Sequence, residues 1–191
     1  MVNLCSQCGS TMTQNIPLGD NRLRFNCSKC DYIHYENPKI VVGTLPIYKT
    51  NLGEDLVLLC KRNIEPRLGY WTLPAGFLEN GESILDGAIR ETYEETMANV
   101  SNLNLYSIFN VIHANQIHIF FRSEMTDKIF STTDESSEVA LFSFSDIPWD
   151  ELAFPTVHKA LTNFKSDYKS GNFTLEMSDI NKDYSFTMNK K

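Results

Sequence analysis

Two groups of residues in this 191-residue chain have types and spacings that could do chemistry. The first is a set of four cysteines, Cys5-x2-Cys8 and Cys27-x2-Cys30, with eighteen residues between the pairs. Each two-residue gap lets a tight knuckle aim two thiolates at one ion, and two knuckles complete a tetrahedral shell with the spacing of a zinc site. Gly9, directly after the first pair, supplies the backbone freedom such a turn requires. A closed shell of four thiolates leaves no open position, so the expected Zn2+ is structural rather than catalytic. The second group is Glu91, Glu94 and Glu95, which stand at i, i+3 and i+4 and so converge on one helix face. Carboxylates that close repel one another, and hard cations such as Mg2+ or Mn2+ suit a cluster of oxygen ligands. Glu82, just before the helix, can fold back toward the same ion, while Arg90 is an adjacent cation that its position turns partly away. A solvated acidic surface presents the same trio, so the spacing alone leaves both readings open.

These residues need elements to hold them. Asn80-Gly81 is a turn signal, and Ser83 with Asp86 three residues later is an acidic variant of the capping box, so the helix is predicted to begin near Ser83. From there Ile84, Leu85, Ala88 and Thr92 share the face turned to the core. Gly87 costs about 1 kcal/mol relative to alanine in a helix interior, and its missing side chain leaves room for the preceding loop. Around the cysteines, Ser10–Ile16, Arg22–Asn26 and Tyr32–Tyr35 read as short strands, with turns at Leu18-Gly19-Asp20-Asn21 and Asp20-Asn21-Arg22. So small a segment has too little core to fold alone, and the metal would supply much of its stability. Further strands are predicted over Ile40–Tyr48, Asp55–Lys61 and Tyr70–Leu73, with a turn at Asn51-Leu52-Gly53. Leu105–His113 and Gln116–Ser123 form a hairpin around Ala114-Asn115, Val139–Phe144 is another strand, and Pro155–Asp167 is a helix with proline in its first turn. Helix and strand mix without a regular βαβ repeat, which points to an α+β fold rather than a doubly wound parallel sheet. The organisation expected is a ribbon over 1–37, a main domain over 38–168 and a loosely attached tail over 169–191.

Composition narrows the setting. With 42% hydrophobic residues and a formal charge of −7, wholesale disorder and a generally basic nucleic-acid surface are both disfavoured. No apolar stretch reaches the length of a membrane span, and the N-terminus lacks the basic and apolar run of a secretory signal. A cytoplasmic address follows, where thiols stay reduced and cysteine clusters usually mean metal. Cys60 lies apart in a strand-like run and reads as core. His34, His113, His118 and His158 form no ligand spacing and are assigned no chemistry.

Gly76, five residues, Glu82, seven residues, then Arg90-Glu91-Thr92-Tyr93-Glu94-Glu95 resembles the Nudix box, GX5EX7REUXEEXGU. Met97 stands where the pattern has glycine, Thr92 fills the first bulky-aliphatic slot imperfectly, and Ala98 fills the second. Cys27 to Lys39, Arg62, Glu65-Pro66-Arg67, Gly69, Trp71 to Phe77 and Ile147-Pro148-Trp149 also resemble the Nudix subfamily that carries an N-terminal zinc ribbon. The resemblance implies the Nudix α/β/α sandwich for roughly Pro38 to Tyr168. It further implies attack by water on a phosphorus of ADP-ribose, FAD or a related nucleoside diphosphate compound, with release of AMP. Glu91, Glu94 and Glu95 would hold Mg2+ or Mn2+, Arg90 would orient a box carboxylate, and Glu82 would join directly or through water. Glu138 aligns with a further family glutamate as ligand or general base. Arg62 and Arg67 could contact phosphates, and Trp71 or Phe77 could stack on a base. The related NADH pyrophosphatases carry a SQPWPFPxS motif after the box, where this chain reads Asn104-Leu105-Tyr106-Ser107-Ile108-Phe109, so NADH is demoted. RNA-cap hydrolysis, a non-catalytic nucleotide sensor and a zinc-ribbon nucleic-acid module are the alternatives. A homodimer is a family-level expectation.

Overall fold

The computed structural model describes residues 4–51 and 53–181, and they divide into two compact units on either side of the Pro38–Lys39 link. The first unit is a three-stranded antiparallel sheet of β1 (Met12–Asn15), β2 (Arg24–Cys27) and β3 (Ile33–His34) in that order. Among the described residues its core is Cys5, Met12 and Cys27 with Phe25 and Tyr32 against them. The predicted turn holds as a side-chain cap: Asp20 Oδ1 accepts from the Asn21 and Arg22 N–H groups, and Arg24 Nε donates to Oδ2 at 3.1 Å.

The second unit contains β4 (Lys39–Lys49), β5 (Asp55–Arg62), β6 (Trp71–Thr72), β7 (Ala75–Phe77), α1 (Ile84–Thr96), β8 (Val100–Val111), β9 (Gln116–Met125), β10 (Ser136–Phe142), α2 (Pro155–Ser170) and β11 (Glu176–Ile180). The sheet runs β10-β5-β4-β9-β8-β11, with β6 on β5 and β7 on β4. β4 is central and apolar along most of its length, as a strand covered on both faces must be. It pairs parallel with β9 throughout. On its other side its C-terminal part pairs with β5 and its N-terminal part with β7 (Val41 opposite Phe77, Val42 opposite Gly76). That split gives β7 its place at the margin of the sheet.

Two helices complete three layers, the α/β/α sandwich expected. Val157, Leu161 and Phe164 of α2 pack on Leu45, Val57, Phe109 and Phe120. Ala88 of α1 packs on Val42 and Phe121 on the opposite face. Ser83 caps α1, accepting from the Asp86 N–H at 3.1 Å, so the predicted start is the observed one. The predicted core face of α1 needs correction: Ala88 and Thr92 are buried, but Ile84 and Leu85 are 39% and 43% exposed. Gly87, Glu95 and Thr96 take the remaining inward positions.

The tail expectation also changes. α2 runs on to Ser170, and β11 adds to the sheet as a parallel partner of β8, with Ile180 opposite Val111 and fully buried. A single short strand with polar neighbours carries little periodic signal by itself, and its partner lies some seventy positions earlier. Residues 182–191 of that predicted tail, and Leu52 of the Asn51-Leu52-Gly53 turn, lie outside the described residues. Among the described residues no helix is long and apolar enough to cross a membrane.

Candidate functional site

In the ribbon unit, the Sγ atoms of Cys5, Cys8, Cys27 and Cys30 all lie within 4.8 Å of one another, and among the described residues this is the one set of three or more such ligand atoms so gathered. Gly9 turns at φ 70°, and its N–H donates to the Cys5 carbonyl to close the first knuckle. The Gln7 N–H points at Cys5 Sγ and the Lys29 N–H at Cys27 Sγ, each at 3.4 Å, so each knuckle turns a backbone donor toward a sulfur. Four soft sulfur donors with tetrahedral reach fit Zn2+.

The second site is built at the β7–α1 junction. Gly76 faces α1, and a Cβ there would fall within the space occupied by the Glu91 carboxylate. Glycine is required so that the helix carboxylate can rest on the strand backbone. Gly87 likewise makes room, since a Cβ would meet Glu82 and Leu78 of the preceding loop, as expected.

Arg90 does not turn away. Its Nε and Nη2 bind the two oxygens of Glu82 at 3.0 and 2.7 Å, Nη1 reaches Glu91 at 2.7 Å and Glu94 at 2.9 Å, and Nη2 also donates to the Phe77 carbonyl. A long side chain with five N–H donors in a planar fork can do this from one residue off the glutamate face. The Arg90 guanidinium, with the Glu79 N–H, holds Glu82 down to about 2, and Glu82 in return holds Arg90 firmly protonated.

Glu95 is outside that network. It is 6% exposed and its Oε2 accepts from the Ala75 N–H at 3.0 Å and faces Cys60 Sγ at 3.6 Å. Burial pushes its carboxyl up to about 7 and also raises Glu91. Cys60 is core, as predicted, with its thiol held high by the same burial. Glu91, Glu94 and Glu95 offer oxygen donors of the kind a hard divalent cation takes, although among the described residues they are not drawn together as tightly as the four ribbon sulfurs.

A cavity of about 670 Å3 opens from this junction, with Arg90, Glu91, Glu94 and Glu95 lining one region of it. Phe77 and Arg62 line it as well. The remaining candidates fall elsewhere. Trp71 is buried edge-to-face on Phe142 at 4.9 Å, a core role, and Arg67 stacks on Tyr70 away from the cavity lining. Glu138 has a side chain 57% exposed and is ion-paired to Lys61 at 2.7 Å, outside the lining. Glu135, three residues earlier in the same acidic run, lines the cavity, and its charge acts on Glu91. The β10–β5 register shifts between Ser136 and Glu138, and such a bulge re-aims the side chains around it. Sequence reasoning found the segment but had no signal for the bulge. It also passed over His118, Gln116 and Thr156, which line the cavity and bond to one another.

Residues 38–163 match the family model described as NUDIX domain, and residues 3–36 match that described as Nudix N-terminal. The NAD-capped RNA hydrolase NudC of Vibrio vulnificus is 26% identical over 179 residues, covering 87% of this chain and 62% of that protein. The same-named protein of Vibrio parahaemolyticus is 31% identical over 105 residues, 55% of this chain and 36% of its own length. The chain thus spans less than two thirds of the length of these curated relatives. A NUDIX hydrolase crystal structure from Nitrosomonas europaea superposes with a TM-score of 0.88 at 41% identity, over 94% of this chain and 99% of that one. The NUDIX domain of Shewanella oneidensis NrtR, crystallised with ADP ribose, superposes at 0.58 with 18% identity over 67% and 88% of the two chains, a likeness of fold.

Proposed function

Because the chain belongs to the Nudix family, with residues 38–163 matching its domain, we propose that it hydrolyses the pyrophosphate bond of a nucleoside diphosphate derivative such as ADP-ribose or FAD, releasing AMP. The observation that carries the reading is the Glu91 carboxylate resting on Gly76, with Arg90, Glu94 and Glu95 beside it in the lining of a cavity that also carries apolar and aromatic side chains. Such a cavity suits a substrate with a polyanionic centre and a flat organic group. A divalent ion held by Glu91, Glu94 and Glu95, Mg2+ or Mn2+ in our reading, would neutralise the diphosphate and acidify a bound water.

The chain's own residues do the rest. Arg90 fixes Glu82, Glu91 and Glu94 in place before substrate arrives, so little reorganisation is needed during reaction. A Glu135 carboxylate oxygen accepts the proton of the attacking water, the part expected of Glu138. Arg62, whose guanidinium stands over the Phe154 ring at 5.2 Å, is the phosphate contact, and Phe77 offers an exposed ring for stacking. Zn2+ in the ribbon is structural, and the reduced thiols it needs agree with a cytoplasmic address.

The curated relatives' names favour a second reading, hydrolysis of NAD-capped RNA, beside which NADH stands as a further alternative. The absent SQPWPFPxS motif and the −7 charge weigh against it. A panel of ADP-ribose, FAD, NADH and NAD-capped RNA, with products identified, separates the two. For the first four substitutions to test, Glu94→Gln and Glu95→Gln are expected to abolish turnover in a folded protein, and Glu135→Gln to lower kcat far more than Glu138→Gln. Full activity in the Glu95 variant removes the ligand assignment. Light scattering of the purified chain reads the expected homodimer.

A further inference from the structure

The cavity's floor is a strip of sheet whose order is fixed by register. Phe77 stands opposite Val41, and Val41 opposite His118. One row over, Gln116 stands opposite Val111, and Val111 opposite Ile180 of the unexpected strand β11. Crossing β7, β4, β9, β8 and β11 at about 4.8 Å per strand, this floor extends about 19 Å from the carboxylate junction. That is room for a substrate whose organic group lies well away from its phosphates.

On β9, His118 meets the first turn of α2 and Gln116 meets His118. His118 Nε2 lies 2.8 Å from Gln116 Oε1, and Nδ1 lies 3.3 Å from the Thr156 hydroxyl. A neutral imidazole satisfies both contacts, with Nε2–H donating to Gln116 and Nδ1 accepting from Thr156. Each ring nitrogen is then taken within the protein. The Gln116 amide is anchored through its oxygen, which leaves its Nε2 hydrogens without a partner among the described residues, in the lining of the cavity.

We propose that this strip, Phe77–Val41–His118 with Gln116 and Thr156, is the subsite for the neutral heteroaromatic group of the substrate, and that the Gln116 amide donates to an acceptor on its edge. The inference rests on the hydrolase reading and deepens it: the flat group is a nucleobase, held four strands' breadth from the glutamates at most. Lys39, opposite Gln116 and with its ammonium over the Phe77 ring at 5.1 Å, disfavours a cationic ring, and the two free N–H donors reject a ring without acceptors. A base rich in ring nitrogens and carbonyl oxygens meets both conditions.

The test compares AMP with ribose 5-phosphate, which shares the sugar and phosphate but has no base, by calorimetry without divalent metal. Wild-type protein should bind AMP at least about tenfold more tightly, and Gln116→Leu should remove most of that ratio while leaving ribose 5-phosphate binding in place. His118→Phe, which keeps a ring but loses the anchor of the Gln116 amide, should move the ratio the same way. Circular dichroism melting checks that each variant folds. An unchanged ratio in both folded variants overturns the proposal, as does a wild-type protein that binds the two probes equally. Equal loss of both ligands also overturns it, because the defect would then lie outside base recognition. If the wild-type protein hydrolyses nothing in the substrate panel yet shows the selectivity, the hydrolase reading fails and the subsite stands.

Discussion

Thr92 occupies a helix position where the resembled pattern calls for a bulky aliphatic side chain, and its surroundings explain the exchange. Its hydroxyl lies 2.6 Å from that of Thr44 on β4 and 2.7 Å from the Ala88 carbonyl, with both threonines fully buried. Thr92 gives its proton to the Ala88 carbonyl, so the Thr44 hydroxyl donates to the Thr92 oxygen. Thr92→Val strands the Thr44 hydroxyl and should cost about 1–3 kcal/mol in urea denaturation. The Thr44→Val/Thr92→Val double variant should lose less than the sum of the singles, and strict additivity would mean the bond carries nothing. His118 supplies a pH signature at the same scale. Burial lowers its pKa from 6.5 to about 4. Between those values the unfolded chain takes up a proton that the folded one refuses, so stability falls as pH drops through that window. His118→Gln should therefore lose less stability than wild type between pH 7 and pH 5, and parallel losses would contradict the buried neutral imidazole.

At the scale of elements, α1 is legible from both ends. Ser83 and Asp86 announce its start, and the box spacing places the glutamates on one side. Its exit shows why the resembled pattern has glycine there. Met97 closes the helix in the left-handed region at φ 59°, with its N–H donating to the Tyr93 carbonyl. An L-residue in that conformation costs about 1–2 kcal/mol, and Met97 is 37% exposed, so little packing repays it. Met97→Gly should stabilise the protein by about 0.5–1 kcal/mol, the strain relieved less the entropy glycine gains when unfolded. A lower melting temperature for that variant would show that the Met97 side chain contributes more packing than its exposure suggests. The strand ends were less legible. β10 begins three residues earlier than the pattern placed it, because its bulge breaks the alternation that marks a strand.

For the molecule as a whole, the two units differ in what holds them together. The Nudix unit has a continuous core of large apolar side chains from sheet and α2, whereas among its described residues the ribbon buries three, two of them cysteines. Chelation of zinc should therefore melt the ribbon alone, with NMR amide signals of residues 4–38 collapsing while the β4–β9 and α2 signals persist. Elemental analysis should find one zinc per chain. Retention of the ribbon signals after complete zinc removal would show that its small core suffices.

The sequence by itself determined the metal chemistry of the ribbon, the helix that carries the glutamates and the order of most elements, because each of these is encoded in spacings of a few residues. The spacing of Cys5, Cys8, Cys27 and Cys30 needed no fold to be read, and neither did Glu91, Glu94 and Glu95. Tertiary structure alone decided which residues face the cavity beside the glutamates. Glu135 replaces Glu138 in the lining through a bulge, Trp71 goes to the core, and Ile180 joins the floor through a parallel pairing with a distant strand. Cross-strand register and the placement of Thr156 at the start of α2 bring Gln116, His118 and Thr156 together. Those contacts depend on long-range pairing, and no local spacing in the chain records them.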